Sequence, residues 1–284
     1  MKYSRYLTDD GFAIFLVHGV IPAAADRHPL RNYTHKHLTV ERFTEVLKDL
    51  DEHGTPVSMP DIVAASEGRT ELPPRAFSIT LDDGFRNNLT HAMPVLEAMG
   101  IPATFYLTTN FISTNSGSWI DMIEYAAEST GIRNRATMDS IRQMVKNAPQ
   151  IDPYKFAVDY CRRLGVKQFN PDPELDQKMT WCDVKELSRI PQFNIGGHGD
   201  THRILSYLSV EDLQREIATC LATIRAQVGK PIIHFSYPEG MPNCYNEQVI
   251  GALKEHGVIC CPTAEEGINH LGDSLFGLKR IMVV

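Results

Sequence analysis

Two short clusters about a hundred residues apart hold the residue types that metal-assisted chemistry requires: Thr80-Leu81-Asp82-Asp83-Gly84 and His198-Gly199-Asp200-Thr201-His202. Adjacent carboxylates repel when both ionise in an enclosed site, so the Asp82-Asp83 pair invites a cation. At a strand's C-terminal end neighbouring side chains diverge. One can therefore ligate a metal while the other faces a bound water. Imidazoles at i and i+4, as His198 and His202 are, share one face of a helical turn, a spacing used by paired-histidine zinc sites. Each cluster also has a plainer reading. Asp-Asp-Gly is a common turn, and the chain has 11 histidines, most of them with no special partner in sequence. Together, two His and one Asp make three protein ligands and leave positions for water and substrate. Such a site polarises a carbonyl and brings the pKa of bound water toward ~7. The spare carboxylate can then take the water's proton. The chemistry is hydrolytic.

These residues need a scaffold, and apolar strand-like runs alternating with helical patterns supply one. Ala13 to Val17 reads as a first strand, followed by a polar, His-rich loop from Pro22 to His37. Thr39 is the N-cap of a helix running through Leu50. Pro56 to Met59 reads as a short strand and Pro60 to Ser66 as a short helix. Ala76 to Leu81 is a strand that ends at the aspartate turn, His91 to Met99 a helix that stops at Gly100, and Ala103 to Leu107 a strand. This order argues for parallel pairing in an α/β fold. From about 110 to 178 strand signals are few, which marks a helical insertion lying over one end of a single domain spanning 1–284. Asn194 to Gly197 leads into the histidine cluster. Val210 to Val228 is an amphipathic helix, Ile232 to Tyr237 a strand, Asn246 to His256 a helix ended by Gly257, and Val258 to Cys261 a further strand.

Composition narrows the functional classes. The net charge of −7 and the absence of long basic patches exclude nucleic acid as the expected partner. No stretch approaches the ~20 apolar residues of a membrane span. The N-terminus lacks the basic and apolar regions of a signal peptide, so the cytoplasm is the expected compartment. Cys161, Cys182, Cys220, Cys244, Cys260 and Cys261 contain no Cys-x-x-Cys pair and read as buried or free thiols. Nothing in the chain sets an oligomeric state.

Phe77 to Asn88, carrying Thr80-Leu81-Asp82-Asp83-Gly84, closely resembles the first motif of the polysaccharide deacetylases, carbohydrate esterase family four. Ile195 to Leu205, carrying both histidines, resembles their second, and Gly100-Ile101-Pro102-Ala103-Thr104-Phe105 their usual connection. The resemblance runs from about residue 10 to the C-terminus, least well in the middle. It implies a distorted (β/α)7 barrel with parallel strands and removal of an N-acetyl group from an amino sugar. Carried over by position, Asp82 is the base, and Asp83, His198 and His202 bind a divalent metal, zinc being the expected ion. Gly199 stands where the family has a hydroxyl residue, so one supporting hydrogen bond must be lost or replaced.

The third motif is Phe235-Ser236-Tyr237-Pro238-Glu239-Gly240. Many relatives carry an arginine at the position of Ser236, paired with the base. Arg280 is the candidate substitute, the alternative being a surface arginine beside Lys279. The backbone N–H of Glu239 takes the family's oxyanion position. The family's last motif, a strand ending Leu-x-His, is absent after residue 240, but Leu16-Val17-His18 ends the first strand. The chain thus resembles the circularly permuted branch, with His18 as general acid; packing at the barrel mouth is the alternative. Trp119, Trp181 and Tyr237 are candidate sugar contacts, because aromatic rings stack on sugar C–H faces, although core packing explains most tryptophans. Asp200 reads equally as a partner of the metal ligands or a solvated turn residue.

The expected substrate is therefore an N-acetylated amino sugar in a glycan or a carrier-linked precursor, in bacterial surface-polysaccharide or O-antigen biosynthesis. Two other readings stand beside it: a barrel that binds carbohydrate without hydrolysis, and an amidohydrolase acting on a non-sugar acyl amide.

Overall fold

The computed structural model describes residues 2–28 and 30–284. Its spine is a parallel sheet of β1 (Phe12–Val17), β4 (Thr55–Pro56), β5 (Ala76–Leu81), β6 (Ala103–Leu107), β7 (Phe193–Gly197) and β8 (Ile281–Met282). β2 (Gly19–Ile21) and β3 (His37–Thr39) form a separate parallel pair. The main path runs β7-β6-β5-β1-β8, with β4 on the first residues of β5. Every residue of β1, β5 and β6 is buried. That is the signature of parallel strands covered on both faces, and it explains why these strands read as continuous apolar runs rather than alternating ones.

Register brings the functional ends together. Val17 pairs with Leu81, so His18 and Asp82 leave the sheet side by side, and the Asp82 N–H donates to the Val17 carbonyl at 3.0 Å. Leu107 pairs with Gly197, which sets His198 at the same edge. The sheet that continues past β7 is thinner than the sequence implies. Ile232 to Tyr237 and Val258 to Cys261 form single parallel bridges, Gly197 to Phe235 and His234 to Cys260, rather than full strands. The parallel α/β class is as expected, while regular ladder pairing does not close the circuit.

Local signals account for most helices. α1 (Val40–Asp51) is capped by Thr39, whose Oγ1 accepts from Arg42 N at 3.2 Å, and α2 (Met59–Ser66) opens with a capping box between Ser58 and Asp61. The helix read from His91 begins earlier, as a π-helical turn over Asn88–Ala92 that runs into α3 (Met93–Met99). Between β6 and β7 lie α4 (Thr109–Thr114), α5 (Trp119–Ser129), α6 (Arg135–Lys146), α7 (Pro153–Arg163) and α8 (Trp181–Leu187). α5, α6 and α7 share their own apolar cluster around Trp119, Ile123, Val145 and Ala157. α9 (Val210–Val228) and α10 (Glu247–Glu255) follow β7. Among the described residues no helix is long and apolar enough to cross a membrane.

The loop read as polar after β1 contains the unexpected β2–β3 pair, and this pair fixes the chain just beyond His18. Asn87, from the first motif, accepts from Val20 N at 3.3 Å and contacts His37 Nδ1 at 3.2 Å. Gly19 pairs with His37 so closely that an added Cβ would lie 2.0 Å from His37 Nδ1 and 2.7 Å from Asn87 Oδ1. Overpacking at such a contact costs about 1–3 kcal/mol. Gly19→Ala should lower the free energy of denaturant unfolding by about that amount, and an unchanged midpoint would show that the β2–β3 contact yields freely.

Candidate functional site

Asp82 and Asp83 follow β5 directly, yet their surroundings differ. Arg280 grips Asp82 in a two-pronged pair, Nη1 to Oδ1 at 2.9 Å and Nη2 to Oδ2 at 2.8 Å. The same guanidinium donates to Ser236 Oγ at 2.8 Å, Thr263 O at 2.5 Å and Thr80 Oγ1 at 3.2 Å. Arg280 is 1% exposed, which excludes the surface-arginine reading. It arrives from the residue before β8, and its fork shares space with Ser236. Burial alone would raise the Asp82 carboxyl; the Arg280 charge, His198 and the Arg280 hydrogen bonds override it and hold the group below the usual carboxylate range. Asp82 is therefore ionised and fixed in orientation.

Asp83 turns toward the histidines. Its Oδ1 lies 3.3 Å from His202 Nε2 and 3.6 Å from His198 Nε2, and it is buried without a hydrogen-bond partner. Burial pushes this carboxyl up, but His202 above all holds it well below the ordinary value. His198 Nδ1 lies 2.8 Å from the Ser236 carbonyl, which can only accept, so Nδ1 carries the proton and Nε2 presents its lone pair. His202 stacks on Phe111, with centroids 5.8 Å apart.

The ligand atoms of Asp83, His198 and His202 lie within 4.8 Å of one another. Donors about 2.0–2.2 Å from a shared tetrahedral ion stand roughly 3.4 Å apart, which matches the Asp83–histidine separations. The orphaned Asp83 oxygen and the fixed His198 tautomer thus fit a divalent cation, and two imidazoles with one carboxylate are donors that zinc accepts well. Backbone strain marks the same place. Asp83 (φ 73), His202 (φ 57) and Glu239 (φ 63) are three of the six non-glycine residues in the left-handed region among those described. Such conformations cost of order 1–3 kcal/mol each and cluster at functional sites.

The i, i+4 histidines do not share a helix, contrary to expectation. Residues 198–202 form a loop, and the left-handed Gly199 (φ 81) and His202 turn the two rings toward each other. A Cβ on Gly199 would stand 2.9 Å from Glu216 Oε1. That carboxylate comes from α9. It accepts from Thr201 N at 2.6 Å and Thr201 Oγ1 at 2.8 Å, clamping the loop between the ligands. Asp200 points away from the ligands and accepts from Thr109 Oγ1 at 2.6 Å, anchoring α4.

His18 lines the same cavity as Asp82, Asp83, His198, His202, Tyr237, Glu239 and Arg280. Burial lowers its pKa to about 4, against the pull of Asp83 and Asp82, so the ring rests neutral. Glu239 forms a short ion pair with Lys146. The aromatic assignments divide. Tyr237 lies in the cavity wall, but its hydroxyl donates to Phe276 O at 3.0 Å and its ring stacks on Tyr245. Trp119 and Trp181 do not line the cavity. Trp119 is 3% exposed, sunk in the apolar cluster of the helical segment. Trp181 is held outside by an Nε1 hydrogen bond to Ser113 Oγ at 3.2 Å. Their bulk serves packing, which the sequence could not separate from sugar contact. Sequence reasoning also missed Glu216 and the wall residues Lys36, Glu124, Arg142 and Lys146, since no local pattern marks a contact made across elements.

Fold and geometry define a class: a parallel α/β protein with a buried Asp-His-His cluster beside an arginine-held carboxylate. The chain belongs to the polysaccharide deacetylase family, a family of carbohydrate deacetylases, whose profile matches residues 69–260. Poly-beta-1,6-N-acetyl-D-glucosamine N-deacetylase of Escherichia coli (strain K12) is 27% identical over 144 residues, 49% of this chain and 19% of that protein. The match thus spans about a fifth of the relative's length. Among solved structures, IcaB from Ammonifex degensii superposes with a TM-score of 0.66 at 18% identity, covering 98% of this chain and 94% of that one. The Streptococcus pyogenes deacetylase PplD in complex with acetate gives 0.65 at 16% identity, with the same coverage. The BpsB deacetylase domain from Bordetella bronchiseptica gives 0.61 at 18% identity, over 98% of this chain and 97% of that one. These likenesses establish the shared fold.

Residues that orient metal ligands typically matter 10–100-fold for affinity. Glu216→Ala should weaken zinc binding by about that factor in competition against a chelating dye, with Glu216→Gln closer to the parent. Equal affinity in all three proteins would remove Glu216 from this role.

Proposed function

We propose that this protein is a metal-dependent hydrolase that removes the N-acetyl group from an amino sugar in a glycan or a carrier-linked glycan precursor. The observation that carries the reading is the unequal treatment of two adjacent carboxylates in one cavity. Asp82 is ionised and locked by Arg280, while Asp83 keeps an unpaired oxygen against two imidazole nitrogens.

Asp83, His198 and His202 would hold the ion. When bound there, a divalent metal supplies a Lewis acid for the acetamide carbonyl and lowers the pKa of a bound water. The residues of the chain do the rest. Asp82 accepts the proton of the attacking water, and Arg280 keeps its carboxylate from rotating as the charge changes. The Glu239 N–H donates to the oxygen on which negative charge develops; its left-handed backbone is the strained feature that supports this role. His18 protonates the departing sugar nitrogen, leaving acetate and a free amine. Its low resting pKa means that the ring is neutral before the reaction, so the proton it delivers to the nitrogen is the one Asp82 takes from the attacking water, passed on within the shared cavity before the C–N bond breaks.

The position of His18 supports the circularly permuted reading. The strand carrying it pairs in parallel with β5, the strand of the aspartate motif, which is the neighbour that reading requires for the histidine strand. The family and the Escherichia coli relative's substrate favour a sugar of the N-acetylglucosamine type, and surface-polysaccharide or O-antigen assembly as the setting.

Loss of a general acid or base typically costs 10²–10⁴-fold. Asp82→Asn should retain the metal and lose turnover by roughly that factor in an assay of acetate released from N-acetylglucosamine oligomers; wild-type rates in this variant would exclude Asp82 as base. His18→Ala should likewise keep its metal content and most of its substrate affinity while kcat collapses. Near-normal kcat would return His18 to a packing role.

A further inference from the structure

The helical segment between β6 and β7 contributes its own wall to the cavity: Ser118, Ile120, Glu124, Arg142 and Lys146, joined by Thr34 and Lys36 from the loop before β3. The three cations of this wall are neutralised unequally. Lys36 Nζ lies 2.5 Å from Asp121 Oδ1, and Lys146 pairs with Glu239. Arg142 has no comparable partner. Its nearest carboxylate, Glu124, is 3.9 Å away, and among the described residues its one hydrogen bond runs from Nη1 to Tyr33 Oη at 3.0 Å. Burial pushes the Glu124 carboxyl up to about 8, against the pull of Lys36 and Arg142. At 3.9 Å Glu124 makes no hydrogen bond to the guanidinium, so Glu124, Tyr33 and Glu239 hold the Arg142 charge while most of its donors stay unused.

A guanidinium carries five N–H donors in a planar fork, and Arg142 uses one. Leaving the other donors of such a cation unpaired in a half-closed cavity is costly, and Arg142's side chain is only 19% exposed. The fork matches carboxylate and phosphate oxygens in two-pronged contact. The cavity volume of about 220 Å³ falls below the roughly 300–1,000 Å³ of common small-molecule sites. It therefore takes one sugar-sized group, and an anionic substituent on that group or its neighbour comes within reach of the wall.

We propose that Arg142 anchors an anionic oxygen group of the substrate, with Lys146 and Lys36 beside it, so that the preferred substrate is an N-acylated amino sugar bearing a carboxylate or a phosphate. This inference rests on the deacetylase reading and narrows it. Glu124, beside Arg142, is a hydrogen-bond donor to the same group or to a sugar hydroxyl. The wall is made entirely by the helical segment and the loop before β3, so it tunes specificity without disturbing the metal ligands.

The test uses the zinc-loaded full chain and three substrates: a neutral N-acetylglucosamine oligomer, an N-acetylated aminouronic acid oligomer, and N-acetylglucosamine 1-phosphate. Acetate release gives kcat and KM for each, and calorimetry gives binding of the sugar phosphate and uronate directly. The expected result is a kcat/KM for one acidic substrate about tenfold or more above that of the neutral oligomer, a preference worth at least one decade of affinity. The arm that wins identifies carboxylate or phosphate. Arg142→Met should raise KM for that substrate about tenfold with the loss falling on KM rather than kcat, and Arg142→Lys should recover part of it. Equal use of neutral and acidic substrates, or a loss in Arg142→Met that falls alike on all three, would overturn the anionic subsite and leave the deacetylase reading standing. No acetate from any of the three would overturn that reading and the subsite with it.

Discussion

Two neighbouring carboxylates buried in one cavity cannot both stay ionised unless each is given positive charge, and this structure satisfies Asp82 and Asp83 by separate means. Asp82 takes the fork of Arg280, which comes from the far end of the chain. Asp83 faces two imidazoles from the loop after β7, and the charge it needs is that of a cation its oxygen and their nitrogens can share. A buried ion pair of the first kind is weak evidence of stability, because desolvation offsets much of the attraction. Its value is in orientation: with one carboxylate locked, only the other is free to ligate. Division of labour between the two residues follows from this charge balance, and the register of β1, β5 and β8 exists to deliver the parts of it to one edge.

Much of this was legible in the sequence, for identifiable reasons. β1, β5 and β6 were readable because parallel strands buried on both faces leave unbroken apolar runs, and α1 and α9 because caps and amphipathic periods are local. Asp83, His198 and His202 could be grouped because their types are rare together. The elements that failed were those held by distant contacts. Residues 232–237 and 258–261 are apolar enough for strands, yet they make single bridges. The histidine pair has helical spacing but is bent by Gly199 and clamped by Glu216, fifteen residues on from Thr201. Trp119 looks the same in sequence whether it faces a sugar or fills a core. Arg280 was reachable only through the family resemblance, since nothing near residue 280 advertises a partner at residue 82.

The helical segment adds a layer that the aspartate and histidine motifs do not describe. It has its own apolar cluster, so it can hold a rigid wall, and it lines the cavity with charged residues rather than aromatic ones. On the proposed function, chemistry and selectivity come from different parts of the chain: the sheet edge would supply the reacting groups, and the excursion the surface against which a substrate is chosen.

The proposed chemistry depends on one divalent ion held between Asp83 and the two imidazoles. Anomalous diffraction from crystals of the zinc-loaded protein tests it most directly. The expected result is a single strong peak about 2.0–2.2 Å from one Asp83 oxygen and from the Nε2 atoms of His198 and His202, with Asp82 still held by Arg280. A site left empty at saturating zinc, or a peak bound elsewhere while these three side chains stay in direct contact, would contradict it.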